Sequence, residues 1–134
     1  MGGAITTRHM YHLVLVAIGG AIGSSLRHLV NFAAMRLLGL NFPWGTIAVN
    51  VAGSFAMGAF IELLGRRFNA SNELRLFVAT GILGGFTTFS AFSLDFAVLC
   101  ERGAAGQAIA YAVGSVVISL LALFAGLWFV RNLG

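Results

Sequence analysis

The sequence predicts an all-α integral membrane protein in which four transmembrane helices form a single domain over residues 1–134, with the third helix broken near its middle. Eight arginines, no lysine and four acidic residues make only 9% of the chain charged, whereas soluble domains average about 25%. Because 59% of the residues are hydrophobic, the chain could not cover a folded core with a polar surface. A soluble enzyme is therefore not expected.

The charged residues also leave four long apolar intervals between them. They bound stretches of 18, 25, 19 and 28 residues without formal charge. About 20 apolar residues cross the roughly 30 Å of a bilayer's hydrocarbon core at about 1.5 Å per helical residue. Each interval is close to this length or exceeds it. The predicted spans are 10–32, 44–64, 75–98 and 106–130, joined by short connections at 33–43, 66–72 and 101–106.

Glycines in the first and third spans favour close helix packing. Gly19 and Gly23 stand four residues apart in the first span, as Gly81 and Gly85 do in the third. Small residues at this spacing let two membrane helices approach closely. Four helices can hardly enclose a transport pathway alone, so we expect subunits to associate. These pairs either serve that association or pack the helices of one subunit together.

The second span carries a polar side chain near its middle. Pro43 stands at the start of this span, where its missing N–H costs nothing. Asn50 lies in an otherwise apolar stretch, and an unpaired carboxamide is costly in hydrocarbon. Asn50 therefore either bonds to a neighbouring helix or faces a polar path.

The middle of the third span combines residues that disfavour a regular helix. Three glycines in five residues precede Thr87 and Thr88 within the segment 81–93, and both residue types have low helix propensity. We expect a helix break here, with backbone carbonyls that need partners. Carbonyl oxygens suit a hard cation such as sodium. A glycine-rich close helix crossing is the alternative.

Two phenylalanines follow the predicted break. Phe89 and Phe92 are three residues apart and share a helix face, while Ser90 and Ser93 add hydroxyls nearby. An aromatic ring has a positive edge, so ring edges can line a path for a small anion without trapping it. Aromatics at helical spacing also serve as ordinary packing, and the spacing alone leaves both interpretations open.

The fourth span carries a stripe of hydroxyl groups. Tyr111, Ser115 and Ser119 recur every four residues, and Leu123 ends the series. Residues at this spacing share one helix face. The stripe either borders a polar path or bonds back to the carbonyls of its own helix.

Few ionisable groups lie near the bilayer interior. Arg27 and Asp95 are the nearest, and intramembrane ionisable residues are functional candidates, although arginine near a helix end can reach the interface. No catalytic triad, phosphate loop or paired-carboxylate site is present, and the lone Cys100 excludes an internal disulfide. The arginines are scattered rather than clustered, so no nucleic-acid partner is expected.

The arginine distribution gives little preference for one membrane orientation. Five arginines fall on one side of the predicted spans and three on the other, a weak bias for a rule that depends on arginine and lysine excess. Such a chain either inserts in both orientations, which lets two copies pair antiparallel as inverted repeats do, or inserts in one orientation despite the small bias.

These motifs resemble those of the Fluc (CrcB) family of fluoride channels. The resemblance rests on the sequence GGFTTFSAFS at 84–93, on PWGT at 43–46 and on Val49 with Asn50, and it extends over nearly the whole chain. It implies an antiparallel homodimer of dual-topology subunits in the bilayer of the bacterial inner membrane. The dimer would export fluoride passively through two pores.

The same resemblance implies roles for individual residues. Phe89 and Phe92 would turn their ring edges to the anion, Asn50 would be a pore-lining donor, and Arg27 would lie near the pore vestibule. Backbone carbonyls of Gly84 and Thr87 from both subunits would hold a structural sodium ion at the dimer centre. A polar track along the pore would comprise Ser90, Thr46, Tyr111, Ser115 and Ser119.

The chain departs from the family pattern at two positions. Ala91 stands where the family motif usually has a second threonine, and Leu123 stands where the fourth helix often carries another hydroxyl. Both departures shorten the expected polar track.

Two other functions are alternatives to a channel. A four-span multidrug transporter would need a carboxylate deep in its first helix, and residues 10–32 contain no Asp or Glu. A non-transporting membrane subunit would use its polar residues only for assembly. Release of fluoride from liposomes distinguishes all three.

Overall fold

A computed structural model describes residues 2–67 and 71–134, and these residues are helical apart from short connections. Four stretches are long and apolar enough to cross a membrane, which confirms the all-helical, four-span prediction. The predicted connection 66–72 includes residues 68–70, which lie outside the described residues. The helices are α1 (Gly2–Leu38), α2 (Trp44–Arg67), α3 (Asn72–Arg75), a π-helix (Leu76–Leu83), α4 (Gly84–Phe86), α5 (Ser90–Glu101) and α6 (Ala105–Asn132).

The long helices end where the sequence provides turn residues. Gly39 follows α1 with φ of +84° and donates its N–H to the Met35 carbonyl at 3.1 Å, a conformation that glycine adopts without strain. Gly103 follows α5 with φ of +77°. α2 begins at Trp44, directly after Pro43. The two glycines thus allow the chain to reverse between neighbouring helices.

α2 and α6 pack closely along their lengths. A Cβ atom added at Gly58 would overlap the backbone of Leu123, and one added at Gly126 would overlap the backbone of Phe55. The two backbones therefore approach more closely than side chains would permit. The hydroxyl stripe of α6 and the single carboxamide of α2 are consequently carried by one rigid pair of helices.

α1 packs against the π-helix and α4 through the predicted glycine pairs. A Cβ atom added at Gly19 would lie 2.9 Å from the Gly81 Cα, and one added at Gly85 would lie 3.1 Å from the Gly20 Cα. A Cβ atom at Gly23 would overlap the carbonyl of Ile82. These glycines therefore pack the helices of one chain together, which is the second of the two roles predicted for them.

The third span is not a uniform helix. It runs as a π-helix to Leu83 and as one α-helical turn to Phe86, and α-helix resumes at Ser90. Thr87 is extended, with φ of −82° and ψ of 159°. An interruption is therefore visible at 87–89, inside the segment where a break is predicted, and it coexists with the close glycine crossing.

Large apolar side chains cover the outside of the four helices. On α1 and α6, Leu13, Phe124 and Trp128 are 62%, 63% and 65% exposed. The buried core is small and includes Val49, Leu99 and Tyr111. This inverted distribution suits an apolar surrounding, either lipid or another helical surface.

Candidate functional site

The interruption of the third span sets the geometry of the candidate site. Residues 87–89 leave the helix, so some of their backbone N–H and C=O groups need partners from elsewhere. Two such partners come from α1 and α2. They are long polar side chains that the sequence placed inside otherwise apolar spans.

Asn50 bonds to both sides of the Thr88 backbone. Its Nδ2 donates to the Thr88 carbonyl at 3.0 Å, and the Thr88 N–H donates to Asn50 Oδ1 at 2.8 Å. The half-buried carboxamide therefore bonds to the neighbouring third span, which is the first of the two alternatives predicted for Asn50. It also borders a cavity, so the polar path of the second alternative lies beside it.

Arg27 reaches the residue before this clamp. Its Nη1 donates to the Thr87 carbonyl at 3.1 Å, and the Arg27 side chain is partly buried. Its guanidinium therefore points into the helix packing. Arg27 does not line the cavity beside Asn50, and it acts there only through the Thr87 carbonyl.

Thr88 also starts the second half of the span. Its Oγ1 accepts the N–H of Ala91 at 3.1 Å and lies 3.3 Å from the hydroxyl of Ser90. An N-terminal hydroxyl that accepts a helix N–H in this way stabilises a helix start. Ala91, where the family motif usually has threonine, therefore contributes its backbone rather than a hydroxyl. Sequence reasoning missed the role of Thr88.

Phe89 and Phe92 lie together beside the interruption. Their ring centroids are 5.5 Å apart, and Phe92 lies 5.3 Å from the ring of Tyr111. Phe89 is 76% exposed, a high value for a phenylalanine in the middle of a span. Phe92 therefore packs within the chain, whereas the ring of Phe89 is left for a surface or a ligand outside it.

These elements enclose an open cavity of about 360 Å³. It brings together predicted pore residues from α2, the interruption and α6. Ser54 and Thr88 line it as well, and sequence reasoning missed both, although Ser54 lies one helical turn from Asn50 on the same face. The full lining is Asn50, Ser54, Gly84, Thr87, Thr88, Phe89, Phe92, Ser115, Val116 and Ser119.

Two hydroxyls of the α6 stripe are available in this cavity. The Oγ atoms of Ser115 and Ser119 are buried and have no hydrogen-bond partner among the described residues. The back-bonding alternative for the stripe is therefore not observed at these two positions. Hydroxyls that have no partner among the described residues and lie beside a carboxamide and two aromatic rings offer donors of moderate strength, which suit a small anion that must also leave.

Two of the other predicted track residues, Thr46 and Tyr111, form a second cluster around Asp95. Thr46 Oγ1 and Tyr111 OH donate to Asp95 Oδ2 at 2.7 Å and 2.9 Å. Thr46 and Tyr111 are almost fully buried, and neither lines the cavity beside Asn50. The sequence indicated this cluster only through Asp95, an acid inside a predicted span, and the partners of Asp95 could not be predicted from it.

A second cavity, of about 320 Å³, borders this cluster. Thr46, Ala91 and Asp95 form part of its wall, and Arg102 lies at its rim together with the loop before α2. The two cavities share no lining residue. The Asp95 cluster therefore contributes Thr46 and Asp95 to the second cavity and no residue to the cavity beside Asn50.

Backbone carbonyls of the interruption can serve as cation ligands. Because the Thr88 N–H bonds to Asn50, it does not donate to the Gly84 carbonyl, four residues before it. Gly84 and Thr87 border the same cavity, and the Thr87 carbonyl keeps a second lone pair beside its bond from Arg27. Groups of three or more His, Cys, Asp or Glu side chains that could hold a metal are absent from the described residues. The backbone carbonyl oxygens of Gly84 and Thr87 are thus of the ligand type that a hard cation prefers.

Fold and site together define a class of protein. The chain has four helices suited to a membrane, and its interrupted third span borders a cavity lined with hydroxyl, carboxamide and aromatic groups. Residues 14–127 match the family described as CrcB-like protein, Camphor Resistance (CrcB). The chain belongs to this family, which confirms the resemblance seen in the sequence, and it is a multi-pass membrane protein.

Several relatives are similar over nearly their whole length. The chain is 64% identical over 124 residues to the fluoride-specific ion channel FluC of Chelativorans sp. (strain BNC1), covering 92% of this chain and 99% of the relative. It is 62% identical to the protein of the same name from Mesorhizobium japonicum and 59% identical to that from Agrobacterium fabrum, with the same coverage of both chains.

Proposed function

We propose that this chain is a fluoride channel that exports fluoride passively across the bacterial inner membrane and so protects the cell from fluoride. The relatives named as fluoride-specific ion channels are similar over nearly the full length of both chains. The observation that carries the proposal is the cavity that places two unpaired buried hydroxyls beside Asn50 and the Phe89 ring.

The chemistry of this cavity suits fluoride. Fluoride holds its water tightly, so a selective pore must replace hydration with donors, yet a fixed cation would hold the ion too firmly to release it. The unpaired hydroxyls of Ser115 and Ser119 and the positive ring edges of Phe89 and Phe92 are donors without full charge. The free N–H of Asn50 adds one more.

We assign the other predicted residues to the surroundings of this route. Ser90 stands at the start of α5, beside the Thr88 hydroxyl, where it extends the polar track. Thr46 and Tyr111 belong to the track through the Asp95 cluster. Arg27 lies near the vestibule and fixes the Thr87 carbonyl.

The active form in this proposal is an antiparallel homodimer of dual-topology subunits with two pores. The cavity is open on one side, and the 76% exposed ring of Phe89 stands at its edge. A second copy would cover this ring and complete the wall. The nearly balanced arginines are compatible with insertion in both orientations.

A sodium ion at the dimer centre completes the proposed assembly. The Gly84 and Thr87 carbonyls from both subunits would hold it, which gives oxygen ligands only. When bound, the cation offsets part of the cost of bringing an anion into a low-dielectric interior. The role of this chain's residues is to present the two carbonyls at the interruption.

Fluoride efflux from liposomes tests the proposed function. Purified protein is reconstituted into vesicles loaded with potassium fluoride, and external fluoride is followed with an electrode after valinomycin is added. We expect rapid electrogenic release of fluoride, much slower release of chloride and no dependence on a proton gradient. Protein-free vesicles give the background rate. Fluoride that stays trapped in the protein-containing vesicles contradicts the proposal.

The same assay distinguishes the alternative functions. A multidrug transporter would move organic cations in response to a proton gradient and leave fluoride inside. A non-transporting subunit would release none of these solutes. Either result would replace the channel as the function of this chain.

A further inference from the structure

The hydrogen bonds of the interruption are not those of a simply broken helix. In a continuous α-helix the Thr88 N–H would donate to the Gly84 carbonyl. Here it donates to Asn50 Oδ1 at 2.8 Å. The preceding bond, from the Thr87 N–H to the Leu83 carbonyl at 3.0 Å, is still present. The helical ladder therefore stops at the residue that a side chain of α2 captures.

Asn50 uses most of its hydrogen-bonding groups on the Thr88 backbone. Its carboxamide has two N–H donors and one oxygen, and one donor and the oxygen are both bonded to Thr88. One N–H remains for any other ligand. Bonding the N–H and the C=O of one residue in this way reproduces the pairing between residues of two adjacent strands, and it restricts rotation of the backbone at Thr88.

Further hydrogen bonds hold the chain before and after Thr88. Arg27 bonds to the Thr87 carbonyl at 3.1 Å on one side. On the other side, the Thr88 hydroxyl accepts the Ala91 N–H at 3.1 Å and so begins α5. The position of the Phe89 ring between these anchors then follows from where Thr88 is held.

We infer that Asn50 is a positioning residue for the interruption, in addition to any contact with the anion. Its carboxamide holds Thr88 at both ends, and by capturing the Thr88 N–H it releases the Gly84 carbonyl to bind a cation. The cation half of this inference rests on the proposed function and its sodium site. The clamp on Thr88 stands on the hydrogen bonds alone.

Amide hydrogen exchange of the full-length protein in lipid nanodiscs tests the clamp. In the wild type we expect the Thr88 amide to exchange at least about tenfold more slowly than the Phe89 amide, which has no partner among the described residues; tenfold corresponds to one net hydrogen bond. Asn50→Ala should remove this protection. Ser54→Ala, one turn away in the same cavity, should retain it.

A second variant keeps the test decisive if Asn50→Ala does not fold. Asn50→Asp retains an oxygen for the Thr88 N–H but loses the donor to the Thr88 carbonyl, so Thr88 protection should persist. The wild-type comparison of Thr88 with Phe89 requires no substitution at all. Equal exchange of these two wild-type amides overturns the clamp.

Sodium titration tests the second half of the inference. Thermal unfolding is followed in sodium chloride and in N-methylglucamine chloride at equal ionic strength. Wild type and Ser54→Ala should be stabilised by sodium, whereas Asn50→Ala should lose most of that increase in Tm. A wild type without a sodium response, or an Asn50→Ala protein that keeps it, overturns the release of the Gly84 carbonyl.

The outcomes separate this inference from the proposed function. If Asn50→Ala loses fluoride efflux but keeps Thr88 protection and the sodium response, Asn50 is an anion ligand only and the inference is wrong. If the wild type shows the exchange pattern and the sodium response but releases no fluoride, the channel proposal fails and the positioning role stands.

Discussion

Replacing Gly23 with alanine tests the packing that holds the interruption in place. A Cβ atom at Gly23 would overlap the Ile82 carbonyl oxygen and lie 2.8 Å from the Phe86 nitrogen. Because nonbonded contacts are optimal at about 3.5–4.0 Å, α1 must move away by roughly 0.7 Å or more. The three nearest atoms all belong to the backbone, so no side-chain rotation relieves the overlap with them.

Gly20→Ala provides a matched control for Gly23→Ala. A Cβ atom at Gly20 would meet no atom within 4 Å, and both positions lie inside the same helix. The helix-propensity gain of about 1 kcal/mol on replacing glycine is common to both variants and cancels in their difference. The remaining difference is the overpacking cost, about 1–3 kcal/mol, with Gly23→Ala the less stable variant.

Equilibrium unfolding measures this difference. The purified variants are titrated with a denaturing detergent in mixed micelles, and the two tryptophans, Trp44 and Trp128, report unfolding by fluorescence. Equal free energies of unfolding for Gly23→Ala and Gly20→Ala would refute the packing of α1 against Ile82 and Phe86. A Gly20→Ala protein that is less stable than Gly23→Ala would refute it as well.

Two further predictions concern the aromatic residues. Phe89→Ile should lower fluoride efflux by about two- to tenfold, which corresponds to the loss of one aromatic-edge interaction. Phe124→Ile, on the apolar outer surface, should leave efflux unchanged. Equal efflux rates for these two variants would show that the Phe89 ring serves only in packing. Tyr111→Phe should lower the free energy of unfolding by about 1–2 kcal/mol because Asp95 loses a donor. Tyr11→Phe, which removes an exposed hydroxyl, should cost much less, and equal losses in the detergent titration would contradict the Asp95 cluster.

The four-helix fold could be predicted because its cause is local in sequence. A bilayer imposes a minimum apolar length on any helix that crosses it, and the intervals between charges report that length directly. The interruption could be located for a similar reason, since glycines and β-branched residues act on their own backbone. Thr87 adopts extended geometry within the predicted segment.

Contacts between the spans could not be predicted, because apolar helices carry no pattern that fixes their register. Asn50 and its partner Thr88 are 38 residues apart, and the sequence required only that the carboxamide find some partner. Asp95 and Thr46 are 49 residues apart. The glycine pairs likewise gave a spacing that suits contacts within a chain as well as between chains.

The hydrogen bonds divide the hydroxyl stripe of α6 into two parts with different chemistry. The Tyr111 O–H donates a hydrogen bond to Asp95 Oδ2, so the Tyr111 oxygen offers a neighbouring anion lone pairs rather than a donor. The hydroxyls of Ser115 and Ser119, one and two turns further on, have no hydrogen-bond partner among the described residues. A stripe that is uniform by spacing therefore becomes a donor surface only where no carboxylate competes for it. The donors that border the cavity at the interruption are consequently the serines.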